Sequence, residues 1–178
     1  DIAALESVLE KSTVVLDQKV DADLIGLARD ELSAAVSIFI VRGGRIRGTR
    51  SLVVDLELDR SNADLLEYLL QEIYSPNGKS QAPEVPKQIL VSELPNDQAA
   101  LEVWLTELRA KPTTIAAPKR GDKAALLSTT SQNAKHALTN YKLKRVSDFS
   151  ARAEALSGLQ KALGLENAPL RIECYAIS

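Results

Sequence analysis

The sequence contains no methionine, one cysteine (Cys174) and one histidine (His136). A single cysteine excludes a disulfide within the chain. One Cys with one His cannot supply the four ligands of a structural zinc site. So little cysteine fits a reducing compartment, and a cytoplasmic protein is expected. No apolar run approaches the ~20 residues of a membrane-crossing helix, and no basic-then-apolar leader is visible, so no membrane role is expected. The start at Asp1, the lack of methionine and an end at Ser178 inside a strand-like run suggest a piece of a larger protein.

What is present suits one globular domain: 178 residues, 45% of them hydrophobic, enough to bury a core without staples. The net charge of −2 hides an asymmetry. Residues 51–110 carry eleven carboxylates against four cations, and residues 119–161 carry nine cations against three carboxylates. Residues 42–50 add Arg42, Arg45, Arg47 and Arg50 with no acid. A basic face can steer a polyanion; a solvated helix face is the plainer alternative.

Periodicity gives the order of elements. Residues 2–16 read as a helix end, with Ile2, Leu5, Val8 and Leu9 at helical spacing. Three strands follow at 23–29, 35–41 and 46–55, rich in β-branched residues. Gly43 and Gly44 supply the turn between the last two. Ser61 caps a helix whose stripe is Leu65, Leu66, Leu69, Leu70 and Ile73. Residues 75–86, with Pro76, Gly78, Pro83 and Pro86, form a loop. A short buried strand at 88–92 leads to a helix capped by Asn96, whose apolar face is expected to be Ala100, Leu101, Trp104, Leu105 and Leu108. A fifth strand at 113–117 precedes a long helical region from Asp122. That region is expected to bend or break around Val146–Phe149, where Ser and Asp compete for backbone hydrogen bonds. A last helix ends at Gly164, and residues 170–177 alternate as a strand. Strands joined through crossover helices lie parallel. The expectation is an α/β, RNase H-like mixed five-stranded sheet with helices on its faces.

Two-metal nucleases of that fold need an acid midway along the first strand. Here that stretch is Ile25-Gly26-Leu27-Ala28, with Asp23 and Asp30 only at its ends. A nuclease built on Asp23, Glu67 and Glu93, with Asp122 nearby, is the minority reading. Ser33, Ser37 and Ser131 lack a nucleophile elbow, and Arg42-Gly43-Gly44-Arg45 lacks the Gly-Lys-Ser/Thr ending of a phosphate loop. Cys174 reads as a small strand hydrophobe, and His136 as an exposed or partly packed helix residue. The basic residues Arg42, Arg45, Arg47, Arg50, Lys119, Arg120, Lys142, Lys144 and Arg145 are the candidate phosphate contacts. By the period of two, the arginines of the third strand lie mostly on one face. Lys142, Lys144 and Arg145 could equally complement a helix dipole.

Several stretches together resemble UvrC, a family of bacterial excision endonucleases. They are Asp23-Leu-Ile-Gly-Leu-Ala-Arg-Asp30, Val41-Arg-Gly-Gly-Arg-Ile-Arg-Gly48, Pro118-Lys-Arg-Gly-Asp-Lys123, Lys142-Leu-Lys-Arg145 and Arg171-Ile-Glu-Cys-Tyr175 with Ile177-Ser178. The resemblance implies three parts: a tail of the UvrB-contacting helical hairpin at 1–16, a catalytically silent RNase H-like domain at 20–165, and the first strand of a nuclease domain at 170–178. It further implies a part in nucleotide excision repair and the SOS response, with DNA as substrate, UvrA and UvrB as partners of the parent protein, and Mg2+ in the parent's nuclease. Ala176 stands where the family's strand has a metal-binding Asp, so no catalytic residue and no cofactor are expected in this chain.

Overall fold

The computed structural model describes residues 16–17, 19–56, 61–75, 84–169 and 171. The tail at 1–15, the prolines of residues 76–83, Cys174 and Ala176 lie outside them. The chain divides into two compact units, Asp1–Leu138 and Thr139–Ser178. The boundary expected near 165 differs from this division, which falls inside a helix.

The first unit is built on five strands: β1 (Ala22–Arg29), β2 (Ser33–Arg42), β3 (Arg45–Asp55), β4 (Gln88–Val91) and β5 (Thr114–Ala116). Their order across the sheet is β3-β2-β1-β4-β5. β1, β2 and β3 pair antiparallel, and β4 and β5 join parallel. Helix α1 (Asn62–Tyr74) connects β3 to β4, and α2 (Gln98–Arg109) connects β4 to β5. Helix α3 spans Asp122–Leu163. This is the expected RNase H-like α/β arrangement.

Each residue of β1 is buried, or nearly so, from one side or the other. Ile25 and Leu27 pack with Leu65, Leu66, Leu69, Leu70 and Tyr74 of α1 and Leu101 and Leu105 of α2. Ala22 and Leu24 face Leu126 and Leu127 of α3, and Ala28 faces Ala134 and Leu138. A strand covered on both faces reads as a continuous apolar run, which is why its alternation is faint in the sequence. Leu69 and Leu70 are wholly buried, each contributing about 1.5–3 kcal/mol.

Local signals set the helix ends. Ser61 and Asp64 form a capping box at the start of α1, satisfying otherwise orphaned N–H groups. At α2 the cap is Asp97, whose carboxylate accepts from the Ala100 N–H at 3.1 Å. Asn96, the expected cap, instead donates its amide to Asp64 at the head of α1. The expected break at 146–149 is absent, because α3 is continuous there. Ser147, Asp148 and Ser150 are exposed, and Asp148 stands at helical spacing from Lys144, Arg145 and Arg152, where opposite charges support a helix. Gly164 does end α3. Its positive φ of 64°, with Gly164 N–H to Lys161 O and Leu165 N–H to Gln160 O, makes a Schellman cap.

The sheet's two edges differ. α2 covers the edge at β5: the Ile115 N–H donates to Glu102 Oε1 at 2.6 Å, Gln98 Nε2 donates to Ile115 O at 3.0 Å, and the Thr113 N–H donates to Thr106 Oγ1 at 3.1 Å. The edge at β3 presents exposed Arg45, Arg47, Thr49, Arg50 and Ser51.

Candidate nucleic-acid interface

The turn from β2 to β3 is two residues long, with Gly43 at φ 59° and Gly44 at φ 73°. Two successive positive φ angles match the right-handed twist of a hairpin. Gly44 is also a close-approach site, since a Cβ there would collide with the carbonyl oxygens of Leu16 and Asp17. The ladder then shifts between Ile40 and Val41. Ile46 stays opposite Val41, Gly48 opposite Ile40, and Arg47 is the extra residue of a bulge. In this register Arg45 opposes Arg42 and Arg50 opposes Ile38. Arg45 and Arg50 therefore share the face of β2 that packs toward α1, while strict alternation from Arg45 pairs it with Arg47 and sets Arg50 on the other face.

Arg42 is turned to internal use. Its Nη1 donates to Asp23 Oδ1 at 2.7 Å and to Val41 O at 2.9 Å. Its Nε lies 3.2 Å from Asp21 Oδ1 and 3.8 Å from Glu84 Oε2. With three carboxylates around one half-buried guanidinium, its charge is spent within the fold. Arg42 leaves the set of candidate phosphate contacts, because reaching a phosphate would strip the buried Asp23 of its counter-charge.

Asp23 is 4% exposed. Its second oxygen accepts from Tyr74 Oη at 2.7 Å, and Tyr74 is itself 2% exposed. Burial pushes the Asp23 carboxyl above the usual carboxylate range, against the pull of the Tyr74 and Arg42 hydrogen bonds. Burial also raises the Tyr74 phenol well above its ordinary value, and the Asp23 charge adds to this. A raised phenol favours the neutral form in the folded state. Its contribution is whole below about pH 10, the unfolded value, and is lost as pH rises through the folded value. The expected result is a fall in thermal stability on titrating above pH 10 that Tyr74→Phe makes shallower; equal alkaline slopes in the two melts would rule this out.

The carboxylates of the minority nuclease reading are not assembled as ligands. Both oxygens of Asp23 are engaged. Glu67 lines an open groove of about 360 Å3 between α1 and α2, with Gln71, Ser75, Leu101 and Trp104. Glu93 Oε2 accepts from Asn62 Nδ2 at 3.2 Å. Among the described residues no group of three or more His, Cys, Asp or Glu is placed to hold a metal ion. At the heart of β1, Ile25 is core, and Gly26 meets the backbone of Thr130 and Ser131 in α3 so closely that a Cβ would overlap it.

The other basic residues fall into separate groups. Arg45, Arg47 and Arg50 line the β3 edge, while Lys119 and Arg120 are exposed between β5 and α3, beyond the opposite edge. Four strand spacings, roughly 19 Å, separate β3 from β5. Lys123, next in sequence, is bound to Gln88 Oε1 at 2.7 Å. Lys142, Lys144 and Arg145 lie on α3 in the second unit, where Lys144 and Arg145 are exposed. His136 is exposed on α3. No helix among the described residues is long and apolar enough to cross a membrane.

The family model of the UvrC ribonuclease H-like domain matches residues 21–141, from the residue before β1 into α3. The chain belongs to this family. Its curated relatives include the UvrABC system protein C of Acidothermus cellulolyticus, 48% identical over the whole of this chain and 28% of the relative. Those of Arthrobacter sp. and Streptomyces coelicolor are 48% and 47% identical, again over the whole of this chain, and over 26% and 24% of their own lengths. The UvrC-family chain thus spans about a quarter of the curated relatives it matches. Among solved structures, a chain of the PCNA:RNase HII complex from Archaeoglobus fulgidus is 12% identical, covering 89% of this chain and 98% of that one, at a TM-score of 0.40. The matched span takes in the whole sheet, Asp23, Arg42 and Tyr74, and stops before Lys142.

Two functional features lay beyond the sequence reading. Tyr74 lies one residue past the stripe read from Leu65 to Ile73 and was not singled out, and Arg42 looked like one of four neighbouring arginines. The usable signal was Asp23 itself, a carboxylate opening a strand that is apolar on both faces and so needing a cation and a donor.

Proposed function

We propose that the chain is the non-catalytic central module of a nucleotide excision repair endonuclease, positioning DNA and the flanking nuclease domains for incision on both sides of a lesion. One observation carries this reading. The single acid buried within β1 is consumed by Arg42 and Tyr74, while arginines stand exposed along the open β3 edge. The parent protein would meet UvrA and UvrB in the cytoplasm, under the SOS response, and its Mg2+-dependent nuclease would do the cutting. Arg45, Arg47 and Arg50 would meet backbone phosphates, with Lys119 and Arg120, and Lys142, Lys144 and Arg145, as further contacts.

Such contacts are sequence-independent and steeply salt-sensitive, each contributing about 0.9 to the slope of log affinity against log salt. The test is a fluorescence-anisotropy titration of labelled duplex across a salt series. Replacing Arg45, Arg47 and Arg50 with Glu should weaken binding and flatten the slope by about 3. Superimposable curves for the parent and the triple variant would remove the β3 edge from the interface. Magnesium-dependent cleavage of the duplex by this chain would overturn the silent role.

A second reading is a scaffold that touches proteins only. The groove between the acidic helices α1 and α2 favours it, with Glu67 and Trp104 in its walls. A scaffold is indifferent to charge reversal on β3, so the same triple variant separates the two.

A further inference from the structure

Helices α1 and α2 are acidic and short of counter-charge. α1 carries Asp64, Glu67 and Glu72 with no lysine or arginine, and α2 carries Glu102 and Glu107 with Arg109 alone. Arg109 is engaged elsewhere: its Nη1 donates to Pro112 O at 2.8 Å, and its Nη2 lies 3.9 Å from Asp21 Oδ2. Each helix precedes one of two parallel strands, so both run the same way and their partly negative C-terminal ends point together. Their N-terminal ends are tied, Asn96 donating to Asp64 and Asn62 to Glu93.

The groove between them has an acid on one wall and a ring on the other. Glu67 and Gln71 come from α1, and Ala100, Leu101 and Trp104 from α2. Two acids of these helices are already committed, Asp64 to the cap of α1 and Glu102 to the edge of β5. Glu67 is not. Among the described residues the Glu67 carboxylate, the Gln71 amide and the Trp104 indole N–H have no hydrogen-bond or ion-pair partner. Trp104 packs against the core while remaining half-buried. A cleft of about 360 Å3 with apolar walls and a few converging polar groups has the make-up of a ligand site.

We propose that this groove takes an arginine from a basic segment of a partner protein, its guanidinium lying on the Trp104 ring and forked onto the Glu67 carboxylate. Charge complementarity identifies the occupant: a cation is missing from a groove whose helices carry five carboxylates against one engaged arginine. Glu107, exposed three residues beyond Trp104 on α2, adds to the attraction. A guanidinium fits better than an ammonium, because it is planar, stacks on an indole and meets a carboxylate with two parallel N–H groups. A nucleic acid would be repelled from this face. The proposal rests on the protein-contact reading of this groove and not on DNA binding at β3. Duplex binding that responds to the β3 substitutions would remove the proteins-only scaffold and leave this ligand untouched, so the two fail separately.

The chain has one tryptophan, so its emission reports on the groove directly. The test is a fluorescence titration of the full chain, at constant ionic strength, with a blocked heptapeptide of three arginines separated by glycines. The expected result is a saturable change in emission with a dissociation constant on the order of 100 μM. The same peptide with citrulline, which keeps the shape and loses the charge, should bind at least about tenfold more weakly. Lysine in place of arginine should weaken binding about threefold or more. Glu67→Gln should cost about tenfold, since a charge-assisted bond becomes a neutral one. Its circular dichroism and melting should match the parent, because Glu67 holds nothing in the free chain. Emission unmoved up to about 5 mM peptide overturns the proposal, as does a response equal for citrulline and arginine or indifferent to Glu67→Gln. Equal binding of the lysine peptide overturns the choice of arginine. A change in emission with chain concentration alone, abolished by Glu67→Gln, would give the groove to a second copy and overturn the partner.

Discussion

Gly26→Val is expected to leave no cooperatively folded domain at 37 °C, and Gly26→Ala to lower the melting temperature sharply. Gly26 lies in the middle of β1, opposite Ser37 of β2, on the face that receives α3. A Cβ there would overlap the backbone of Thr130 and Ser131. Backbone cannot swing aside as the end of a side chain can, so the helix must lift. Lifting it opens the contacts of Leu126 and Leu127 with Leu24 and Phe39, and of Ala134 and Leu138 with Ala28 and Ala35. Overpacking by one methyl costs about 1–3 kcal/mol. At about 2–4 °C per kcal/mol in a chain of this size, Gly26→Ala should melt roughly 2–12 °C lower. Valine adds two more carbons against the same wall. The check is thermal unfolding followed by circular dichroism; a Gly26→Ala melt coincident with the parent would mean that α3 does not seat on β1 in this way.

Arg42→Ala should be the second severe substitution, with a penalty that depends on pH. It removes the 2.7 Å partner of a carboxylate only 4% exposed. Breaking a buried pair from one side costs about 3–5 kcal/mol, because a charge is left without compensation. The carboxyl has an escape, which is to take up a proton. Burial already holds Asp23 above the ordinary carboxylate range with Arg42 in place, and removing the guanidinium raises it further. A carboxyl raised in the folded state gives its full contribution below the unfolded value of about 3.9. That contribution declines as pH rises through the folded value. The Arg42→Ala deficit should therefore be small near pH 4 and complete at pH 7 and above. Asp23→Asn in the Arg42→Ala background should flatten the dependence, since an amide has no proton to exchange. Urea unfolding at a series of pH values measures both. A deficit that stays constant from pH 4 to 8 would show that the guanidinium acts by packing alone.

These two positions were unequally visible in the sequence. Gly26 entered the sequence reading only as part of a strand centre without an acid, although a glycine inside a strand often marks close approach of another element. What approached it could not be read, because Thr130 and Ser131 lie in a stretch of α3 with no feature pointing to β1. Arg42 was misread. Four arginines in nine residues look alike as a string, and charge counting cannot tell one held by Asp21, Asp23 and Glu84 from three that face solvent. The bulge at Arg47 compounds this. Alternation from Arg45 predicts the face of Arg50 wrongly, because the extra residue has no composition signal. The cap of α2 shows the same limit on a small scale: Asn96 and Asp97 are both good caps in isolation, and only the meeting of α1 with the loop before α2 assigns Asn96 to Asp64.

The sequence by itself determined the order and kind of the elements, from three antiparallel strands through two crossover helices to a final helical region, though not that this region is one unbroken helix. Hydrophobic spacing and turn chemistry act over a few residues, and connection rules leave few ways to lay such elements into a sheet. The tertiary structure alone decided which charges are spent inside and which remain outside. Asp23, Arg42 and Tyr74 are brought together across as many as 51 positions by strand register and by the packing of α1, and a pairing at that distance leaves no periodic trace in the chain.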